Sequence, residues 1–200
     1  MAQAPSEKWV TANGLDFHYR DWGGSGQPMV LLHGLASSCH IWDMVAPILA
    51  KDYAVIALDQ RGHGESAKPT EGYDFATVTQ DVLGVIDYLE GPPPIVVGHS
   101  WGGSVALELA VRAPESLNGM AWVDGGMINA SARYDSVEDA KLEMSPPDFT
   151  GVKLEDFKER VRNRHQGGGM APGSHEVVMA NFEVLADQTI KARLTRANHL

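Results

Sequence analysis

The sequence predicts an α/β fold: a mostly parallel sheet with helices on both faces and a helical appendage. Short continuous apolar runs recur at Met29–Leu32, Ala54–Leu58, Ile95–Val97 and Met120–Val123, the pattern of strands buried on both faces. Between them apolar residues fall at helical spacing, as in Val78, Val82, Val85, Ile86 and Leu89. Val97-Gly98-His99-Ser100-Trp101-Gly102-Gly103 then sets Gly-x-Ser-x-Gly between one such run and one such helical pattern, in the order strand, tight turn, helix.

Taken in order, Lys8–Thr11 and Leu15–Arg20 flank Ala12-Asn13-Gly14, and Leu15, Phe17 and Tyr19 alternate with Asp16, His18 and Arg20. That predicts a hairpin with one wet face. A Gly-rich turn, Gly23–Gly26, leads into the first apolar run, and Ile41, Val45, Ile48 and Leu49 read as the helix after it. Val105, Leu109 and Ala110 continue the helical pattern behind Ser100. After Gly125-Gly126 the pattern changes. From about Ala130 no convincing strand is visible, only amphipathic helix-like segments at Val137–Met144, at Leu154–Arg164, and from Ser174 toward the C-terminus, with the Gly-rich 167–173 between the last two. Residues 1–126 are therefore expected to form a core and residues 127–200 a helical cap, with no internal repeats.

With 200 residues and 44% hydrophobic content the chain is large enough for one domain with a substantial core. A formal charge of −10 argues against nucleic acid or an anionic membrane as partner and fits an uncharged small substrate better. The single cysteine, Cys39, excludes an intrachain disulfide framework and reads as a small buried residue. The N-terminal residues show no apolar signal region and no run reaches membrane-spanning length, so a cytoplasmic location is expected. Homo-oligomerisation stays open.

A serine hydroxyl is a weak nucleophile unless it is exposed, positioned and served by a base, and a strand-to-helix turn provides the first two. Gly98 and Gly102 leave room where strand and helix backbones approach, and Ser100 is expected to be strained, with Oγ aimed outward. By itself the five-residue pattern would also fit a plain Gly-Ser loop. A phosphate-binding loop is excluded because Gly-Lys-Ser/Thr is missing.

Two further segments complete a resemblance. His33-Gly34-Leu35-Ala36-Ser37-Ser38 follows the first parallel strand, Asp59-Gln60-Arg61-Gly62-His63-Gly64-Glu65-Ser66 follows the second, and the serine turn follows the third. In order and spacing the chain resembles the cap-bearing, serine-using branch of the α/β-hydrolase superfamily over most of residues 8 to 126. The resemblance implies Ser100 as nucleophile and the backbone N–H groups of Leu35 and Trp101 as an oxyanion hole. Donors already aimed at the developing charge stabilise it without reorganisation, and Trp101 opens a helix, where N–H groups are free. His33 is then expected to hold loops by hydrogen bonds and His99 to shape the turn. The Asp, His and Glu of 59–66 lack metal-ligand spacing, and Asp59 and Arg61 are expected to pair with each other. Trp42 fits a pocket or a core position equally. No cofactor or metal is implied.

In the family the triad acid and base follow the serine in chain order, the acid after one of the next two strands. Asp124 ends the first of these and reads either as that acid or as a loop aspartate at the entry to the cap. His165, His175 and His199 lie in cap-like helices or the Gly-rich loop, and none is assigned as base. Two further strand–helix units, roughly 30 residues each, would complete the family's pattern beyond Leu200. The sequence is therefore expected to be an N-terminal portion, with the C-terminal strands and the triad histidine absent. Haloalkane dehalogenases and epoxide hydrolases of this fold use an aspartate nucleophile, so Ser100 points instead to esterases, lactonases, thioesterases, carbon–carbon bond hydrolases or cofactor-free haloperoxidases. The expected function is a serine hydrolase acting on an ester-type carbonyl of a small molecule. The alternative is a catalytically incomplete binding module of the same fold.

Overall fold

The computed structural model describes residues 4–125, 133–164 and 171–199. β1 (Ser6–Ala12) and β2 (Leu15–Gly23) form an antiparallel hairpin with Val10 opposite Phe17. Asn13 and Gly14 both take positive φ, 51° and 75°, as a two-residue turn matched to the twist of the strands requires. β3 (Pro28–Leu32), β4 (Ala54–Leu58), β5 (Ile95–His99) and β6 (Gly119–Val123) run parallel, and β4 also pairs antiparallel with β2. The six-stranded sheet has the order β1-β2-β4-β3-β5-β6.

The continuous apolar runs exist because successive side chains of a strand leave opposite faces and here both faces are covered. Val30, Leu32, Ile56, Leu58 and Val96 enter one cluster with Val78, Val82 and Val85 of α2 (Phe75–Leu89) and Val105, Ala106 and Leu109 of α3 (Trp101–Arg112). Met29, Leu31, Val55 and Ala57 enter the other with Trp22, with Cys39 and Trp42 of the 3-10 turn Cys39–Trp42, and with Ala46 of α1 (Ala46–Leu49). Trp42 is thus a core residue. Asp74 caps α2 by accepting the Thr77 N–H, and the helix buries the face that the sequence periodicity marks.

Four expectations are corrected. First, among the described residues Met120–Val123 is not covered on both faces: β6 ends the sheet order, with Trp122 and Val123 more than 40% exposed and the Trp122 indole N–H donating to the Gly103 carbonyl. Second, the segment after residue 132 is not purely helical. α4 (Val137–Met144), α5 (Leu154–Arg164) and α6 (Ser174–Met179) are followed by an antiparallel hairpin of β7 (Phe182–Val184) and β8 (Ile190–Ala192), then by α7 (Arg196–His199). The hairpin closes where Asp187 accepts the Thr189 N–H and Gln188 takes φ 63°. Its three-residue strands are too short to show a periodicity. Phe149, Phe157 and Phe182 pack with centroids 4.6 to 5.5 Å apart in a small core that includes Ile190. His165 and the glycines at 167–169 lie outside the described residues.

Third, Asp59 and Arg61 do not pair. Arg61 grips Asp81 of α2 with Nε and Nη2, at 2.6 and 2.9 Å, while Asp59 turns to β2. Fourth, His18 is not on a wet face but 2% exposed. Its Nδ1 lies 2.8 Å from Asp59 Oδ2 and its Nε2 2.8 Å from Glu7 Oε2, so an imidazolium donates to a carboxylate on each side. Burial alone would lower the His18 pKa, but the two carboxylates outweigh it and hold it above the usual value. Burial alone would raise Asp59. The His18 hydrogen bond and the N–H groups of Cys39 and Glu65 outweigh that and hold it well below the carboxylate range. Among the described residues no helix is long and apolar enough to cross a membrane.

The linkage has two signs. Asp59 contributes stability above its unfolded pKa that is lost as pH falls through the depressed folded value. His18 contributes stability below its unfolded pKa that is lost as pH rises through the raised folded value. Stability should therefore be greatest between the two unfolded values, above about pH 4 and below about pH 6.5. Asp59→Asn is expected to cost about 3 kcal/mol in urea unfolding and to flatten the acid limb of that profile. An unchanged acid limb would show that the pair is not what couples stability to pH.

Candidate functional site

The C-terminal ends of β3, β5 and β6 converge, since the register sets Leu32 beside Gly98 and Gly98 beside Trp122. Ser100 follows β5 immediately and its own N–H donates to the Val123 carbonyl at 3.1 Å, while its carbonyl accepts the Gly103 N–H at 2.9 Å. Its backbone sits at φ 50° and ψ −117°, a region that non-glycine residues rarely adopt and that costs on the order of 1–3 kcal/mol. The glycines around it are sterically required: a Cβ at Gly98 would collide with the Gly102 carbonyl, and one at Gly102 would lie 2.7 Å from the Leu32 carbonyl oxygen. No side chain fits either place.

The same closeness locates the neighbours. A Cβ at Gly34 would stand 3.1 Å from Ser100 Cβ, so the loop carrying Leu35 passes directly beside the serine side chain. A Cβ at Gly125 would stand 3.0 Å from Ser100 Cα, which brings the end of β6 and Asp124 to the same turn. Ser100, Asp124 and Ala36 are three of the non-glycine residues with positive φ, at 50°, 46° and 57°, so strained backbone gathers here. Trp101 is the first residue of α3 and its N–H has no carbonyl one turn earlier in the helix. The Leu35 N–H has no partner among the described residues. Both predicted donors, the serine and Asp124 are thus brought to one turn.

Behind the turn lies a layer that sequence reasoning reached only in part. His33 Nε2 accepts the Gln60 N–H at 3.0 Å, so Nδ1 carries the proton and donates to the Gly34 carbonyl at 2.8 Å. The Gln60 side chain donates back to the His33 carbonyl at 2.7 Å. Burial lowers the His33 pKa and keeps the ring neutral, in the loop-holding role expected of it. His63 was not anticipated: its Nδ1 donates to the Arg61 carbonyl and its ring stacks on Trp101 at 5.5 Å, with Phe75 on the same indole at 6.4 Å. Burial lowers His63 to about 3, so it stays neutral. These contacts arise when the 59–66 loop folds back over α3, a long-range event that no local pattern encodes.

Among the described residues no hydrogen bond reaches Ser100 Oγ or the Asp124 carboxylate. His199 Nε2 donates to the Met144 carbonyl at 2.8 Å. His18, Cys39 and Asp59 bring ligand-type atoms within 4.8 Å of one another, but both Asp59 oxygens are occupied by protein donors and burial pushes the Cys39 thiol up, so the trio is built as a hydrogen-bond hub. A cavity of about 840 Å³ lies between residues 146–161 and 178–199 on one side and Ala36 and Ser37 of the loop after β3 on the other. Ser100 is not among the residues that line it. The C-terminal segment is tied down by Ser38 Oγ donating to Asn181 (2.8 Å), Arg193 pairing with Glu65 (2.5 Å) and Asn198 donating to Tyr73 (2.6 Å).

If the turn stores strain, Ser100→Gly should raise stability by about 1 kcal/mol, the relieved strain exceeding the added chain entropy of glycine. Urea unfolding measures it, and a loss of stability would show that the backbone is unstrained.

The family model described as alpha/beta hydrolase fold matches residues 27–167. The chain is 46% identical over 98 residues to a soluble epoxide hydrolase of Corynebacterium sp. (strain C12), across 49% of this chain and 34% of that protein. It is 26% identical over 198 residues to a haloalkane dehalogenase of Mesorhizobium japonicum, across 98% of this chain and 57% of that one. The crystal structure of E-2-(acetamidomethylene)succinate hydrolase superposes with a TM-score of 0.79 at 24% identity, covering 98% of this chain and 70% of that one, and shows the shared fold. The first of these matches spans about a third of the relative's length. With that match and this geometry, the chain belongs to the alpha/beta hydrolase fold family.

Proposed function

We propose that this chain carries the nucleophile and oxyanion hole of a serine hydrolase that cleaves an ester-type carbonyl bond of a small molecule. The supporting observation is Ser100, held at φ 50° at the opening of α3 with the Gly34–Leu35 loop against its side chain. Ser100 Oγ attacks the carbonyl carbon, and the oxygen, as it gains charge, is received by the Leu35 and Trp101 N–H groups. The leaving group departs with a proton, and water then releases the acyl group. Asp124, at the same turn, is the proposed acid of the triad, and residues 127–200 the cap over a core of residues 1–126.

The relatives include an epoxide hydrolase and a haloalkane dehalogenase, and chemistry separates this chain from those activities. A serine oxygen that displaced a halide or opened an epoxide at saturated carbon would form an ether, which offers water no carbonyl to attack. Attack on an acyl carbon forms an ester, which water can cleave. A hydroxyl at position 100 is therefore matched to acyl transfer.

One observation favours a second reading, a binding module of the same fold: among the described residues none hydrogen-bonds Ser100 Oγ. Fluorophosphonate labelling read by intact mass decides. Where a histidine serves as base, the folded protein is expected to gain one phosphonyl group at Ser100 and Ser100→Ala none, with Asp124→Asn slowing labelling at least tenfold. A protein that is folded by circular dichroism and stays unlabelled would overturn the hydrolase reading in favour of the binding module.

A further inference from the structure

We infer that the cavity between the C-terminal segment and the loop after β3 receives the carboxylate end of an amphipathic small molecule, so that the molecule processed at Ser100 bears an acid group. That Ser100 processes it rests on the acyl-transfer reading; the anion site itself does not.

Three cations from three separate elements line the cavity: Arg160 of α5, Lys191 of β8 and Arg196 of α7. Among the described residues none of the three forms an ion pair, whereas Arg193, also in the lining, is committed to Glu65 and to the Ala180 carbonyl. The one lining carboxylate is Asp148, and it accepts the Thr150 N–H at 2.9 Å. Side-chain hydrogen bonding to Thr150, then this backbone donor, holds Asp148 ionised, with Arg196 adding a smaller favourable field. Cations therefore outnumber acids here although the whole chain carries a formal charge of −10.

The rest of the wall is apolar. Phe157 and Ile190 are buried, and Phe149 and Phe182 half-buried, so exposed cations rim a floor of aromatic and aliphatic side chains. Low-dielectric walls strengthen the pull of a cationic rim on an anion. About 840 Å³ is in the range of small-molecule sites. Where the cavity meets the core it is lined by Ala36 and Ser37, the residues directly after Leu35. A molecule with its carboxylate among the three cations and its chain along the phenylalanines would extend toward the Leu35 amide. The neutral substrate suggested by net charge is thus replaced by an acidic one on local grounds.

Binding is tested on the full chain carrying Ser100→Ala, so that no catalysis intervenes and failure of the hydrolase reading leaves the result untouched. Calorimetry at low salt compares 4-phenylbutyrate with the isosteric neutral 4-phenylbutanamide. The carboxylate is expected to bind at least tenfold more tightly, with the preference shrinking as salt is added. The triple variant Arg160→Gln, Lys191→Gln, Arg196→Gln should bind both alike. Arg112→Gln, an exposed cation outside the cavity, should keep the preference. All three substituted cations are exposed, and circular dichroism checks that the triple variant folds. Equal affinity for acid and amide, a preference that survives the triple variant, or no binding of either probe at millimolar concentration would each overturn the site.

Discussion

A carboxylate that is 1% exposed can stay charged only if each oxygen is met by donors, and Asp59 is met from three directions. His18 comes from β2, the Cys39 N–H from the 3-10 turn after the Leu35 loop, and the Glu65 N–H from the loop after β4. Ser66 closes the hub, accepting the His18 N–H at 2.9 Å and donating to the Asp59 carbonyl at 2.6 Å. A buried ion pair of this kind is weak as a source of net stability, because desolvation offsets the attraction. Its strength is geometric. Three pieces of chain must adopt one mutual arrangement or leave a charge stranded, and two of them, the Leu35 loop with the turn that follows it and the 59–66 loop, border the serine turn.

From that hub the site follows by steric exclusion. The 59–66 loop carries Gln60, which fixes the His33 tautomer, and His63, which lies flat on Trp101. His33 in turn holds the Gly34 carbonyl, and Gly34 has Ser100 Cβ as its neighbour. The two histidines are neutral because burial makes them so, which keeps positive charge out of the wall behind the turn. The strained φ of Ser100 is tolerated because its carbonyl and N–H are both satisfied and the glycines at 98 and 102 let α3 start close against β5. Strain of this size persists only where the surroundings over-determine it.

The parallel strands were legible because continuous burial writes itself as a continuous apolar run, and the serine turn because its glycines are forced by contact between backbones. Leu35 and Trp101 were named through the family resemblance, which places one after a strand end and the other at a helix start. What stayed hidden depends on partners distant in sequence. His18 alternates with Phe17 and Tyr19 as a wet-face residue would, and its burial is decided by carboxylates 11 and 41 positions away. Arg61 finds Asp81 twenty positions on, while the nearer Asp59 is already taken. The β7–β8 hairpin is held by Leu154 donating to the Gln188 carbonyl and by the phenylalanine trio, neither of which leaves a local periodicity.

The turn and the charge around it act on different scales, and this is how one family can host unlike reactions. A strained residue between β5 and α3 projects whatever side chain stands there, so the backbone device is indifferent to whether the nucleophile is a hydroxyl or a carboxylate. Under the proposed serine chemistry the identity of residue 100 would decide which intermediate turns over, because a serine ester of an acyl group is one that water can cleave, and selection among substrates would fall to surfaces farther out. There net charge is a poor guide, because salt screens the chain's average field within about 8–10 Å while a cavity feels the side chains that line it. A chain with 26 acidic and 16 basic residues can therefore hold a cationic pocket, provided bases outnumber acids where they converge.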